Sequence, residues 1–195
     1  MDIVQELAPI MRPYISITGA SGSYYTYKKK FGERRFPAVE IRMRTAKGSF
    51  GAMLYIAVEA GSDLSNLAPG QKLYVGSSSA KDRMFRGDGF DGKNFHHEQM
   101  RTGNKDRNLE RHIALGGQVD VYAASAAQLA TLADTSERFK GMLPMARGEV
   151  ALSRGRNHAG YWFEQLILRD QGSDWAWNSQ GAHADAAAQL RARGL

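Results

Sequence analysis

Hydrophobic and polar positions along the chain fall into short blocks, and the blocks change period. Ile3, Leu7, Ile10 and Met11 recur at helical spacing, so residues 1 to 12 predict a short helix that Pro13 stops. "YISITGASGSYYTYKKK" predicts a strand, a Gly/Ser turn and a second strand. In "AVEIRMRTA" Val39, Ile41 and Met43 alternate with Glu40, Arg42 and Arg44, the period of a half-buried strand. "GSFGAMLYIAVEAG" (48 to 61) is almost continuously apolar, as a central strand requires. "SDLSNLAPGQ" predicts a loop and "KLYVGSS" the next strand.

Residues 77 to 106 break the pattern. They are polar, glycine-rich and charged, and predict a short helix (about 79 to 86) followed by a long loop. Beyond them "DRNLERHIALGG" reads as a helix closed by Gly, and "QVDVYAA" as a strand. A helix opened by Ser125, an apolar helix in "RNHAGYWFEQLILRD" and an alanine-rich helix in the tail complete the order. That order predicts an α+β fold, a small central β-sheet flanked by helices. The expected organisation is an N-terminal helix and basic hairpin (1–47), a catalytic domain (48–182) with a basic insertion at about 77–106, and a C-terminal helix (183–195).

Composition narrows the class. The chain has 195 residues, enough to bury a core without cross-links, and no Cys, which excludes disulfide frameworks and thiolate metal sites. Absence of Cys fits a reducing cytoplasm, the expected location. "MDIVQELAPIMRPY" lacks the apolar stretch of a signal peptide, and no segment reaches the roughly 20 apolar residues of a membrane span.

The net charge of +6 favours polyanion partners, nucleic acid first. In "YYTYKKKFGERRF" the basic residues Lys28, Lys29, Lys30, Arg34 and Arg35 interleave with aromatics, the mixture that neutralises phosphates and stacks on bases. The other reading of this run is a hairpin with a solvated basic tip.

Candidate chemistry gathers around one acid. Glu164, inside "YWFEQLIL", has Gly160, Tyr161, Ile167 and Leu168 as helical neighbours and so faces the body of the protein. A carboxylate there needs a partner, either a buried Arg or a metal ion. With no H-E-x-x-H and no acid-rich pair, a single carboxylate completed by waters suits Mg2+, as in one-metal phosphodiester hydrolysis. Such chemistry also needs a base and a phosphate clamp. The phenols of "LYIA" (Tyr55) and "LYVGSS" (Tyr74) could serve as the base, and arginines of "SSSAKDRMFRG" as the clamp.

Taken together, "MLYIAVEAG…KLYVGSS", a following Arg, and "FEQLIL…WAWN" resemble the GIY-YIG nuclease superfamily over about residues 50 to 180. Tyr55 matches the first motif tyrosine, Tyr74 and Gly76 the second motif, Glu164 the metal-ligand acid and Asn178 the late asparagine. Arg83 matches the motif arginine. The alternative is Arg107 with His112, as in restriction enzymes of that superfamily, which would make 77–106 a DNA-recognition insertion. Two features depart from the family: the first motif has no Gly, and the loop between the motif tyrosines is long.

The resemblance implies a Mg2+-dependent endonuclease of double-stranded DNA, with Mn2+ able to substitute, working as a homodimer of restriction type. It implies base, clamp and metal roles for Tyr55 or Tyr74, Arg83 or Arg107, and Glu164. DNA contacts are expected at Lys28, Lys29, Lys30, Arg34, Arg35, Gly76, Arg86, Lys93 and Arg101. A repair, mobile-element or toxin nuclease, or a DNA-binding protein without catalysis, would carry the same pattern.

Three further readings concern histidines and aromatics. His96 and His97 read as solvent or phosphate contacts, since adjacent strand residues point to opposite faces. His158 and His183 carry no signal. Trp162, Phe163, Trp175 and Trp177 read as packing residues.

Overall fold

A computed structural model describes residues 2–29, 32–46, 49–68, 71, 73–79, 107–150, 158–171, 177 and 181–195. The first helix, α1 (Ile3–Leu7), is opened by the Asp2 carboxylate, which accepts from the Val4 amide at 2.9 Å. It tightens into a 3-10 turn at Ala8–Ile10 carrying Pro9, so the helix ends before Pro13 is reached. Pro13 instead lies in β1 (Arg12–Lys29), where the pairing with a later strand is irregular. The strands β2 (Gly32–Met43), β3 (Met53–Glu59), β4 (Leu73–Ser78) and β5 (Gln118–Ser125) join β1 in one five-stranded sheet of order β2-β1-β5-β3-β4. Every pairing is antiparallel. The fold is α+β, a central sheet flanked by helices, as the element order predicts.

One element differs from the sequence reading. The Gly/Ser stretch after Thr18 makes no turn. β1 runs straight through it, with an irregularity between Gly19 and Tyr24 in its pairing with β2. Gly19 has a packing role: a Cβ there would lie 1.9 Å from the carbonyl oxygen of Ile113, and its amide donates to the Gly117 carbonyl at 3.1 Å. The glycine admits a helix backbone against the strand rather than reversing the chain. Met43, expected on a buried face, is 39% exposed because β2 is an outermost strand.

Helices cover the sheet on both faces. On one face lie α1, α3 (Ala126–Thr135), α4 (Leu143–Ala146), α5 (Ala159–Gln171) and α6 (Ala184–Arg191). They bury Leu54, Ile56 and Val58 of β3 and Leu73 and Val75 of β4. The other face carries α2 (Arg107–Ala114), which contributes Leu109 and Ile113 against Ile15, Ile17, Val119 and Val121. β3 is therefore buried on both sides, and its run Met53–Val58 is uniformly apolar for that reason. Each Leu, Ile or Val side chain so buried stabilises the fold by roughly 1.5–3 kcal/mol. The predicted opening of α3 by Ser125 is realised as a reciprocal cap with Gln128.

A second close approach between layers is at Gly160 in the first turn of α5. A Cβ there would stand 2.5 Å from the Met53 carbonyl carbon and oxygen, both backbone atoms that cannot swing away. Gly160→Ala should lower stability by about 1–3 kcal/mol, measured as a shift in the urea midpoint at unchanged slope. An unchanged midpoint would mean α5 is not seated on β3 as described.

Candidate active site

The two motif tyrosines lie on neighbouring strands and share one sheet face. Tyr55 pairs directly with Gly76, and Tyr74 with Ala57, so the phenols are diagonal neighbours. Their rings stack with centroids 6.1 Å apart and planes inclined by 26°. Tyr55 crosses from β3 onto β4: a Cβ on Gly76 would lie 2.4 Å from both its Cζ and its hydroxyl oxygen. Gly76 is thus the seat of the Tyr55 phenol, a more specific role than the expected close approach of DNA. Both phenols are buried, Tyr55 to 1% exposure and Tyr74 to 4%.

Glu164 reaches the same strand from the opposite face. One turn beyond Gly160 on α5, it is half-buried, and its Oε2 accepts a 2.5 Å hydrogen bond from the Ser77 hydroxyl. Alternation along β4 separates the two groups. Gly76, under Tyr55, belongs to the α2 face, whereas Ser77, bonded to Glu164, belongs to the α5 face. The tyrosines and the acid therefore meet consecutive residues of one strand but stand on its two sides. The expectation that both phenols and Glu164 surround one phosphate is not realised as a single-faced cluster.

The donors at Glu164 are a carboxylate and a hydroxyl, hard oxygen ligands of the kind Mg2+ accepts when waters and phosphate oxygens complete its shell. Among the described residues no three or more His, Cys, Asp or Glu side chains group together as a metal site.

His112, in the last turn of α2, packs its ring 4.8 Å from that of Trp177, which belongs to the same buried cluster as Tyr55 and Tyr74. Its Nε2 is buried with no hydrogen-bond partner among the described residues, and a Cβ on Gly117 would lie 2.2 Å from it. Arg107 is the first residue of α2. Lys28 and Lys29 end β1, and Arg34 and Arg35 lie near the start of β2. Lys30, Arg83, Arg86, Lys93, Arg101 and Asn178 fall outside the described residues, as do His96, His97, Trp175 and the helix expected at 79–86. Trp162, Phe163 and Trp177 are core residues, as expected.

Two features escaped the sequence reading. Ser77 is Glu164's partner; its place one residue after Gly76, on the alternate face, was the available signal. The other is a pair at the start of α5, where the Tyr161 hydroxyl lies 3.0 Å from Nδ1 of His183. There the His183 amide also donates to the buried Gln165 side chain at 2.7 Å. No sequence period links residues so far apart in the chain.

No protein-family model matches the chain, and comparisons with curated proteins and with solved structures find no match. Among the described residues no helix is long and apolar enough to cross a membrane.

Gly76→Ala should displace the Tyr55 ring, costing about 1–3 kcal/mol and changing the near-ultraviolet circular dichroism of the tyrosines. A variant with parental stability and spectrum would show that the phenol does not rest on Gly76.

Proposed function

We propose that this protein is a divalent-metal-dependent endonuclease acting on double-stranded DNA, sequence-specific in the manner of a restriction enzyme. The observation that carries this reading is the bond from Ser77 of β4 to Glu164, one residue along that strand from Gly76, on which Tyr55 of β3 rests. A half-buried carboxylate of α5 and a phenol of β3, which meet consecutive residues of β4 from its two faces, supply an acid anchor and a candidate base. The ordered motif set of Tyr55, Tyr74, Gly76, Glu164 and Asn178 supports it, as does the net charge of +6.

Mg2+ or Mn2+ bound at Glu164 would supply charge stabilisation for the phosphate and the leaving oxygen. Ser77 holds the carboxylate oxygen in place. Tyr55 or Tyr74 takes the proton of the attacking water, and Arg83, or Arg107 with His112, clamps the phosphate. Asn178 supports the site. Cutting both strands of a palindrome calls for a homodimer, and the absence of Cys fits a cytoplasmic protein.

A second reading is a DNA-binding protein of the same fold without catalysis. The near-complete burial of Tyr55 and Tyr74, on the strand face away from Glu164, favours it.

Plasmid DNA incubated with Mg2+ or Mn2+ separates the two. The first reading expects discrete fragments from the parent chain, and a rate at least about 100-fold lower in Glu164→Ala and in Tyr55→Phe. Cutting that survives Glu164→Ala unchanged sinks the metal-site assignment. Duplex binding with no cutting under either metal leaves the second reading.

A further inference from the structure

β1 bonds to β5 only between Arg12 and Thr18, whereas its pairing with β2 continues to Lys29 opposite Gly32. From Tyr24 onward the two strands form a ribbon with no third strand bonded beside it among the described residues. At its base Gly19 pairs with Val39 and Tyr24 with Pro37, so Ala20 to Ser23 stand against Ala38 alone. Such an excess of residues on one strand is a bulge, the irregularity at which a strand bends and its twist increases.

Register sorts what the sequence interleaves. Directly opposed residues share a face, and faces alternate along a strand. The pairs Tyr25–Phe36, Tyr27–Arg34 and Lys29–Gly32 therefore fall on one face of the ribbon. Tyr24–Pro37, Thr26–Arg35 and Lys28–Glu33 fall on the other. The first face combines three aromatic positions with two cations and has no acid. On the second, the acid Glu33 holds the register position opposite Lys28.

We infer that the face carrying Tyr25, Tyr27, Phe36, Lys29 and Arg34 is the one this protein lays against duplex DNA. The inference rests on the proposed DNA partner and adds which surface holds it. A two-stranded ribbon fits the major groove, about 12 Å wide. The run Tyr24–Lys29 spans roughly 20 Å at about 3.3 Å per residue, which is about six base pairs at 3.4 Å each. Lys and Arg neutralise phosphates along that length, and tyrosine hydroxyls donate to phosphate oxygens. Glu33, the one acid between Tyr24 and Pro37, holds a register position on the opposite face.

The test is equilibrium binding of the full chain to a fluorescent duplex over a salt series, with a chelator present so that nothing is cut. Lys29→Gln/Arg34→Gln should weaken binding about 10-fold or more and reduce the slope of log K against log salt by about 1.8, two contacts at about 0.9 each. Lys28→Gln/Arg35→Gln should reduce it by less than about 0.9. Equal losses in the two variants overturn the choice of face and leave the DNA partner standing. Tighter binding to a single strand of the same length overturns the duplex as occupant. A parent chain that binds no DNA overturns this inference and the proposed function together. The predicted slopes with no cutting in a separate Mg2+ assay support the ribbon while removing the catalytic reading.

Discussion

Nothing larger than hydrogen fits on Gly76 beneath Tyr55, and nothing larger fits on Gly160 above β3. This close packing, on the two faces of one hairpin, sets where the candidate groups stand. Gly160 lets α5 descend onto the backbone of Met53, and the helical rise of about 5.4 Å per turn then brings Glu164 to Ser77 on the next strand. Gly76 lets a phenol from β3 lie flat across β4. A methyl at either position would push apart elements whose other contacts are backbone or large buried rings, which yield little.

The same packing explains why β3 and β4 look alike in sequence and serve differently. β3 is central and apolar on both faces. β4 is outermost in the sheet, yet all six of its residues are buried, and it ends in the polar Ser77 and Ser78. Burial of a serine hydroxyl without a partner is costly, so the Ser77 bond to Glu164 satisfies two polar groups at once. The half-buried carboxylate is thereby tied to the strand that seats Tyr55, and chemistry proposed for one bears on the other.

Much of the fold was legible because each element carried its own local signal. Ser125 marked a helix start, Gly116 with φ 87° closed α2, and the unbroken apolar run of Met53–Val58 announced a central strand. The Gly/Ser stretch after Thr18 misled because glycine serves turns and close approaches alike. Here Gly19 makes room for the Ile113 carbonyl of α2, a demand set by a segment nearly a hundred residues away. The candidate site was legible as residue types, two tyrosines and an acid on the inner side of a helix. Their placement on opposite sides of β4 was not, because the face to which α5 docks is decided by packing and leaves no period in the chain.

The sequence by itself determined the α+β class, the strands and helices, and the set of groups able to do chemistry, since these follow from local periodicity and residue type. Only the tertiary structure decided which of those groups meet. It seated Tyr55 on Gly76, joined Glu164 to Ser77, set His183 against Tyr161, and sorted the basic hairpin into two unlike faces. Those outcomes depend on strand register and on the face each helix covers. Both are fixed by minimising voids and unpaired polar groups over the whole chain, so no single stretch of sequence contains them.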